Sequence, residues 1–102
     1  MPFELERPWH LDRQVAIRPE PFGALAYHFG TRRLSFLKSR KLLDVVQALD
    51  EQPTALAACR SAGVTDQELP AYHRALETLA SSGMVVEHPA AAPVVTKEAE
   101  RA

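Results

Sequence analysis

The chain has 102 residues, of which 46% are hydrophobic; this suits one globular domain and argues against disorder. Its formal net charge of −1 argues against a general polyanion-binding protein, although its cations are clustered. The single cysteine excludes a disulfide framework and a Cys-rich metal site. The lack of a signal sequence or long apolar run predicts a cytoplasmic protein without a membrane segment.

The N-terminal part of the chain predicts an arm followed by a short strand. Residues 1–12 are mixed in character and read as the arm. The segment "QVAIRPEPFG" places Val15 and Ile17 on one face of a strand. Pro19 and Pro21 are expected to end it, because neither can donate to a ladder.

Two further strands follow across a turn at Gly30-Thr31. The first, "ALAYHF", alternates two sets of side chains between its faces. In the second, "RRLSFL", Leu34 and Phe36 are expected to face the core while Arg33 and Ser35 point outward. Three short strands with tight connections predict an antiparallel meander.

The C-terminal half predicts three helices, because the hydrophobic period changes after residue 38. Ser39 and Thr54 are candidate N-caps of the first two, and Gly63 is a candidate C′ residue for the second. Thr65 and Glu68 have capping-box spacing, although Pro70 suggests that the third helix begins a little later. The apolar stripe of the third helix is Leu69, Tyr72, Leu76 and Leu79.

The order of elements predicts an α+β fold in which a three-stranded antiparallel sheet is followed by three helices, similar to a winged helix with its sheet at the front. "MVVEH" is a possible final strand. The predicted domain covers residues 13–87, and residues 88–102, rich in Ala and Pro and then charged, are predicted to be a flexible tail.

Nothing in the sequence predicts catalysis, a metal site or a cofactor. The four histidines have no metal-ligand spacing, and no nucleophile elbow, P-loop or dinucleotide fingerprint is present. Cys59 lies beside Arg60 but is expected to be a small core residue of a short helix. The sequence therefore favours a binding protein over an enzyme.

The most distinctive surface feature is a basic strip without an intervening acid. It consists of Arg32, Arg33, Lys38, Arg40 and Lys41. A solvated strand edge is one interpretation, since charges on edge strands prevent unwanted pairing. A nucleic-acid footprint is another, but the third helix carries Asp66, Glu68 and Glu77 against one arginine, which suits DNA poorly. A winged-helix DNA-binding regulator nevertheless stays the alternative function.

The third interpretation is a peptide-binding edge. An exposed edge strand offers unpaired N–H and C=O groups that an extended peptide can complete. The basic strip would then attract an acidic peptide, and apolar pockets between the edge strand and the third helix would give selectivity.

The segment "QVAIRPEPFGALAYHFGTRRLSFLKSRKLLDVVQAL" resembles the peptide chaperone family of mycofactocin biosynthesis. The resemblance covers about residues 9–87, and that family is similar to the pyrroloquinoline quinone peptide chaperone and other RiPP recognition elements. It implies a winged domain that binds the acidic leader of a ribosomally synthesised precursor peptide without catalysis. It also implies delivery to a radical S-adenosylmethionine maturase.

The resemblance also implies a binding site, in which the leader adds to the third strand and packs against the third helix. By position, the peptide-binding residues are Arg32, Arg33, Leu34, Ser35, Phe36, Leu37, Tyr72, His73 and Leu76. Lys38, Arg40 and Lys41 are assigned to electrostatic steering. Sequence does not decide which backbone N–H groups of the third strand face outward. Because Leu34 is expected in the core, Ser35→Pro is expected to be the substitution that leaves the domain folded.

Overall fold

The structure is a computed structural model that describes residues 3–87, an α+β domain with three helices and two small antiparallel sheets. The strands are β1 (Trp9–Leu11), β2 (Val15–Glu20), β3 (Gly23–His28), β4 (Leu34–Leu37) and β5 (Val85–Glu87). The helices are α1 (Arg40–Ala48), α2 (Ala55–Ser61) and α3 (Leu69–Ser81). The predicted fold class, a three-stranded antiparallel sheet followed by three helices, is confirmed.

The helix termini follow from local capping chemistry. The hydroxyl of Ser39 accepts from the N–H of Leu42 at 3.0 Å, and that of Thr54 accepts from the N–H of Ala57 at 3.1 Å. Gly63 has a φ of 89° just after α2, a conformation that glycine adopts without a Cβ penalty. These predicted helix boundaries are confirmed.

The turn before α3 contains the predicted capping box. The N–H of Thr65 donates to Oε1 of Glu68 at 3.0 Å, and the N–H of Glu68 donates to the hydroxyl of Thr65 at 3.2 Å. The helix itself begins at Leu69, so that Pro70 lies in the first turn, where its missing N–H costs nothing.

A second sheet joins the two ends of the described chain. Trp9 of β1 pairs with Glu87 of β5, and Phe3 and Trp9 are both buried with their ring centroids 4.4 Å apart. Residues 1–12 are predicted to be an arm, whereas Phe3 and Trp9 of that segment are packed onto the domain. The division into arm, domain and tail stays a prediction, and residues 88–102 lie outside the described residues.

The three-stranded sheet buries the face that the sequence analysis expected to be exposed. Ala24 and Ala26 of β3 are 0% and 1% exposed, while Leu34 and Phe36 of β4 are 53% and 56% exposed. The prediction that Leu34 and Phe36 face the core is therefore wrong. Helix α1 lies against the alanine face of β3. Small side chains allow this close approach, so the larger ones lie on the opposite face.

Strand β2 also runs past the proline that was expected to end it. The N–H of Phe29 donates to the carbonyl of Gln14 at 2.8 Å, so even-numbered residues of β2 face β3 and odd-numbered ones face away. Pro19 therefore lies at a position whose N–H would point away from the sheet, where no ladder bond is lost.

Among residues 3–87, no helix combines the length and the apolar character needed to cross a bilayer.

Candidate peptide-binding edge

Strand β4 forms an open edge of the three-stranded sheet. Within residues 3–87, β4 pairs only with β3, in the register Ala24–Leu37, Leu25–Phe36, Ala26–Ser35 and Tyr27–Leu34. An edge of this kind leaves every second backbone N–H and C=O without a strand partner.

The outward-facing donors can be identified from one hydrogen bond. The N–H of His28 donates to the carbonyl of Arg33 at 2.9 Å, and by the register these residues are opposite each other. Hydrogen-bonded pairs alternate in an antiparallel ladder, so Ser35 and Leu37 face β3. The N–H groups of Leu34 and Phe36 therefore face the open edge. This overturns the expectation that Ser35→Pro would leave the domain folded.

A groove of about 360 Å³ lies beside this edge. Ser35, Phe36 and Lys38 line it on the strand side, and Leu42 of α1 also lines it. Ala75, Thr78 and Leu79 line it on the side of α3. Its chemistry is mainly apolar, with two hydroxyl groups and one exposed ammonium group. The groove therefore adjoins the open donors of β4 and can receive side chains of an added strand.

The residues of α3 that sequence assigned to this groove lie elsewhere. Leu76 is fully buried in the core, and Nε2 of His73 is 2.8 Å from the carbonyl oxygen of Phe3, on the side of the N-terminal segment. The hydroxyl of Tyr72 lies 3.4 Å from that of Ser39, at the start of α1. The helix presents Ala75 and Thr78 to the groove instead, and the assignment of Tyr72, His73 and Leu76 to peptide binding stays a prediction.

Two groove-lining residues of α3 were missed because they carry weak sequence signals. Ala75 and Thr78 are small and stand next to the apolar stripe, so they were read as neither core nor site. The signal that could have found them is geometric. Side chains three or four positions apart share a helix face. Ala75 therefore lies on the same face as Thr78 and as Leu79, which belongs to the apolar stripe.

The basic strip is divided by the fold into different environments. Nζ of Lys41 lies 3.0 Å from Oε1 of Glu68, so this cation ties α1 to the start of α3 and its charge is compensated. A backbone hydrogen bond from Thr65 and the Lys41 ammonium together hold the pKa of Glu68 below its ordinary value. Arg32, Arg33, Lys38 and Arg40 are exposed, and their side chains form no ion pair within residues 3–87.

The β3–β4 turn is organised by a buried histidine. Nδ1 of His28 accepts from the N–H groups of Gly30 and Thr31 at 3.0 and 3.1 Å, which requires an unprotonated Nδ1. Nε2 lies 3.5 Å from Oδ1 of Asp12. Arg32 completes the turn with a φ of 62°. This arrangement fixes the start of β4.

The opposite face of the sheet carries a surface that we call the outer aromatic face. Its members are Phe22, Leu25, Tyr27, Phe29, Leu34 and Phe36. The rings of Phe22 and Phe36 stack with centroids 5.9 Å apart, and those of Tyr27 and Phe29 meet edge to face at 5.2 Å. Phe29 is the most exposed of them, at 62%.

The remaining groups with possible reactivity are the thiol of Cys59 and the side chains that could bind a metal ion. Cys59 is fully buried, and burial raises the pKa of its thiol above the ordinary value of 9.0, although Arg60 opposes the shift. Within residues 3–87, no three His, Cys, Asp or Glu side chains are grouped so that they could hold a metal ion. The expected lack of a metal, a cofactor and catalysis stays a prediction.

Comparison with known proteins identifies the family. Residues 8–86 match the model of the peptide chaperone MftB family. The chain belongs to this family. It is 57% identical over 84 residues to the peptide chaperones MftB of Mycobacterium ulcerans (strain Agy99) and Mycobacterium tuberculosis (strain ATCC 25618 / H37Rv), covering 82% of this chain and 77% of each relative.

A third relative supports the same assignment. The peptide chaperone MftB of Mycolicibacterium smegmatis (strain ATCC 700084 / mc(2)155) is 51% identical over 84 residues, which cover 82% of each chain. No solved structure matches the chain. The family resemblance stated from the sequence is confirmed, and family membership supports a chaperone role with a peptide partner.

Proposed function

We propose that the chain binds the acidic leader of a ribosomally synthesised precursor peptide and presents it, without catalysis, to a radical S-adenosylmethionine maturase in mycofactocin biosynthesis. The observation that carries this proposal is the open edge of β4 beside an apolar groove. A leader that adds to this edge gains backbone hydrogen bonds from the strand and side-chain selectivity from the groove. The site of action is the cytoplasm, and the chain needs no cofactor or membrane for this role.

The backbone of β4 determines how a peptide strand would be held. The outward N–H and C=O groups of Leu34 and Phe36 are separated by two residues, the repeat of an extended strand. Alternate side chains of the added strand then point to opposite faces of the sheet. One set enters the groove toward Leu42 and Leu79, and the other set lies beside the outer aromatic face. The groove side therefore selects apolar leader residues.

The charge distribution supports an acidic leader. Arg32 and Arg33 lie before β4, Lys38 follows it, and Arg40 begins α1, so the edge strand has uncompensated cations at both ends. Exposed charges of this kind raise the association rate and fix orientation more than they add affinity. A leader with carboxylates flanking a short apolar segment matches this pattern.

Amide hydrogen exchange with and without leader peptide tests the proposal at single residues. The leader is taken from the short open reading frame expected next to the gene, and a scrambled peptide of the same composition is the control. We expect the amides of Leu34 and Phe36 to gain protection on binding, because they are free donors without peptide. Those of Ser35 and Leu37 are already paired with β3 and should change little.

The outcomes of this experiment are distinct. Leader binding with protection confined to another part of the chain would rule out strand addition at β4 while leaving a chaperone role intact. Absence of leader binding at micromolar concentration, with the maturase also failing to act faster on chaperone-bound peptide, would contradict the proposed function itself.

The alternative function, DNA binding through a winged helix, is less well supported by the site. Near the start of α3, Lys41 pairs with Glu68 and Arg60 pairs with Asp66. These pairs leave little uncompensated positive charge for phosphate contacts at that end of the helix. A gel-shift assay with random duplex DNA at low salt should show no complex, and a specific shift would favour the regulator.

A further inference from the structure

The outer aromatic face is larger and more exposed than folding of the domain requires. Phe22, Phe29, Leu34 and Phe36 are each between 46% and 62% exposed, and their neighbours in the sheet are Leu25 and Tyr27. Helix α1 lies on the other side of the sheet, against Ala24 and Ala26, and the four exposed side chains have no covering element within residues 3–87. A contiguous apolar surface of this kind on a small protein indicates an interaction site.

The charges around this face indicate the chemistry of its partner. Beside this face, β2 carries Arg18 and Glu20, which pair at 2.9 Å, and the β3–β4 connection carries Arg32, whereas Arg33 lies opposite His28 and shares the other side of the sheet with it. The surroundings are therefore positive. A second copy of the chain would bring arginines toward arginines, whereas a surface with carboxylates around an apolar centre would be complementary.

The face is continuous with the proposed peptide site. Leu34 and Phe36 offer their backbone N–H groups to the open edge and place their side chains on the outer aromatic face. An added peptide strand would extend the sheet, so every second peptide side chain would lie in line with these two residues. A protein that covers the face would consequently contact the bound peptide as well.

We propose that the outer aromatic face is the docking surface for the enzyme that receives the peptide, through an apolar patch bordered by carboxylates. This inference rests on the proposed function and adds to it the side of the chaperone that the enzyme approaches. The helical side, with α1, α2 and α3, stays free. The enzyme recognises a composite surface, part sheet and part leader, and therefore binds the loaded chaperone more tightly than the free one.

The test uses the full chain, the purified maturase encoded nearby and a fluorescent leader peptide. The face variant carries Phe22→Ser and Phe29→Ser, two exposed residues outside the peptide groove. A charge variant carries Arg18→Glu on the same face, and Arg60→Glu on α2 is its matched control on the helical side. Leader affinity is measured by fluorescence anisotropy, and enzyme affinity by calorimetry with and without leader.

The expected pattern separates the two binding events. Both face variants should keep leader affinity within about twofold, while the affinity for the maturase falls by about tenfold or more for the double serine variant, since exposed aromatic anchors dominate interface energies. The Arg18→Glu variant should weaken enzyme binding further at low salt than at high salt, and Arg60→Glu should not weaken it.

Other occupants of the face give other results. If the double serine variant binds the maturase as wild type does, the inference is overturned. If the wild-type chain dimerises at micromolar concentration and this variant does not, the face joins two copies. If the variant loses thermal stability by more than about 8 °C, equivalent to 1–2 kcal/mol in a domain of this size, the chain covers its own face. If wild type binds no leader, the proposed function fails and this inference falls with it.

Discussion

The direction of the N–H groups in β4 predicts opposite effects for proline substitutions at two neighbouring residues. Leu34→Pro removes an N–H that faces the open edge, and Ser35→Pro removes one that faces β3. Proline removes the donor and adds a ring at the same place. We therefore expect Leu34→Pro to fold and to lose leader binding, and Ser35→Pro to lose the fold.

The loss of stability expected for Ser35→Pro follows from the burial of the hydrogen-bond partner of Ser35. By the register, its N–H donates to the carbonyl of Ala26, a residue that is 1% exposed, so the lost bond leaves a buried acceptor unsatisfied. An unsatisfied buried group costs about 1–3 kcal/mol, and with the clash of the ring against β3 we expect about 3 kcal/mol or more. For a domain of this size, that corresponds to a fall of roughly 12 °C or more in Tm.

Leu34→Pro is expected to reduce leader affinity rather than the free energy of unfolding. Its side chain is 53% exposed and no ladder bond is lost, so the free energy of unfolding should change by about 1 kcal/mol or less. An incoming peptide loses one hydrogen bond and meets the proline ring, which together should weaken leader affinity by about tenfold or more. Leu34→Ala keeps the N–H and serves as the matched control, with little effect on affinity.

Circular dichroism melts and fluorescence anisotropy titrations measure the two quantities on the same samples. A folded Leu34→Pro variant with wild-type leader affinity would show that this donor makes no bond to the peptide. A Ser35→Pro variant with wild-type Tm would show that the deduced register of β4 is wrong. Either result refutes a separate step of the reasoning, one about the peptide and one about the strand.

Three further predictions concern charge and reactivity. Replacing Arg32 and Arg33 by Glu should slow leader association in stopped-flow experiments more than it speeds dissociation, and the difference from wild type should shrink in high salt; an unchanged association rate would exclude them as steering groups. Because the pKa of Glu68 is lowered in the fold, its stabilising contribution is present above its ordinary value of 4.5 and is lost as pH falls through the lowered value, so Glu68→Gln should flatten the acid side of a stability profile measured in urea. The buried thiol of Cys59, whose pKa is raised, should react with a disulfide reagent at pH 8 only after unfolding; rapid labelling of the native chain would contradict its burial.

The features that sequence predicted correctly depend on neighbours along the chain. The caps at Ser39 and Thr54 each involve a hydroxyl and an N–H three residues later, so the sequence contains the whole interaction. The capping box of Thr65 and Glu68 has the same local character. The basic strip was equally visible, although the compensation of Lys41 by Glu68 required the packing of α1 against the start of α3.

The features that sequence missed depend on contacts between distant segments. Alternation along β3 and β4 defines two faces but not which one is buried, and the approach of α1 onto Ala24 and Ala26 decides it. Strand β1 has three residues, and its partner strand β5 lies at the other end of the described sequence. Only the fold brings Trp9 beside Glu87, so the sequence near β1 does not reveal the pairing. The choice of Ala75 over His73 at the groove similarly depends on how α3 is oriented toward β4, which periodicity within one helix does not specify.

The two edges of the three-stranded sheet differ in a way that bears on solubility. On β2, the N–H of Val15 is already donated to the carbonyl of Asp12 at 3.0 Å, and Pro19 has none, so Ile17 holds the one remaining outward donor of that strand. Had both edges been complete, the β4 edge of one molecule could pair with the β2 edge of the next and generate an open filament. Pro19 blocks that growth. Under the proposed function, β4 is therefore the edge left open to a peptide, while the β2 edge resists pairing with another copy of the chain.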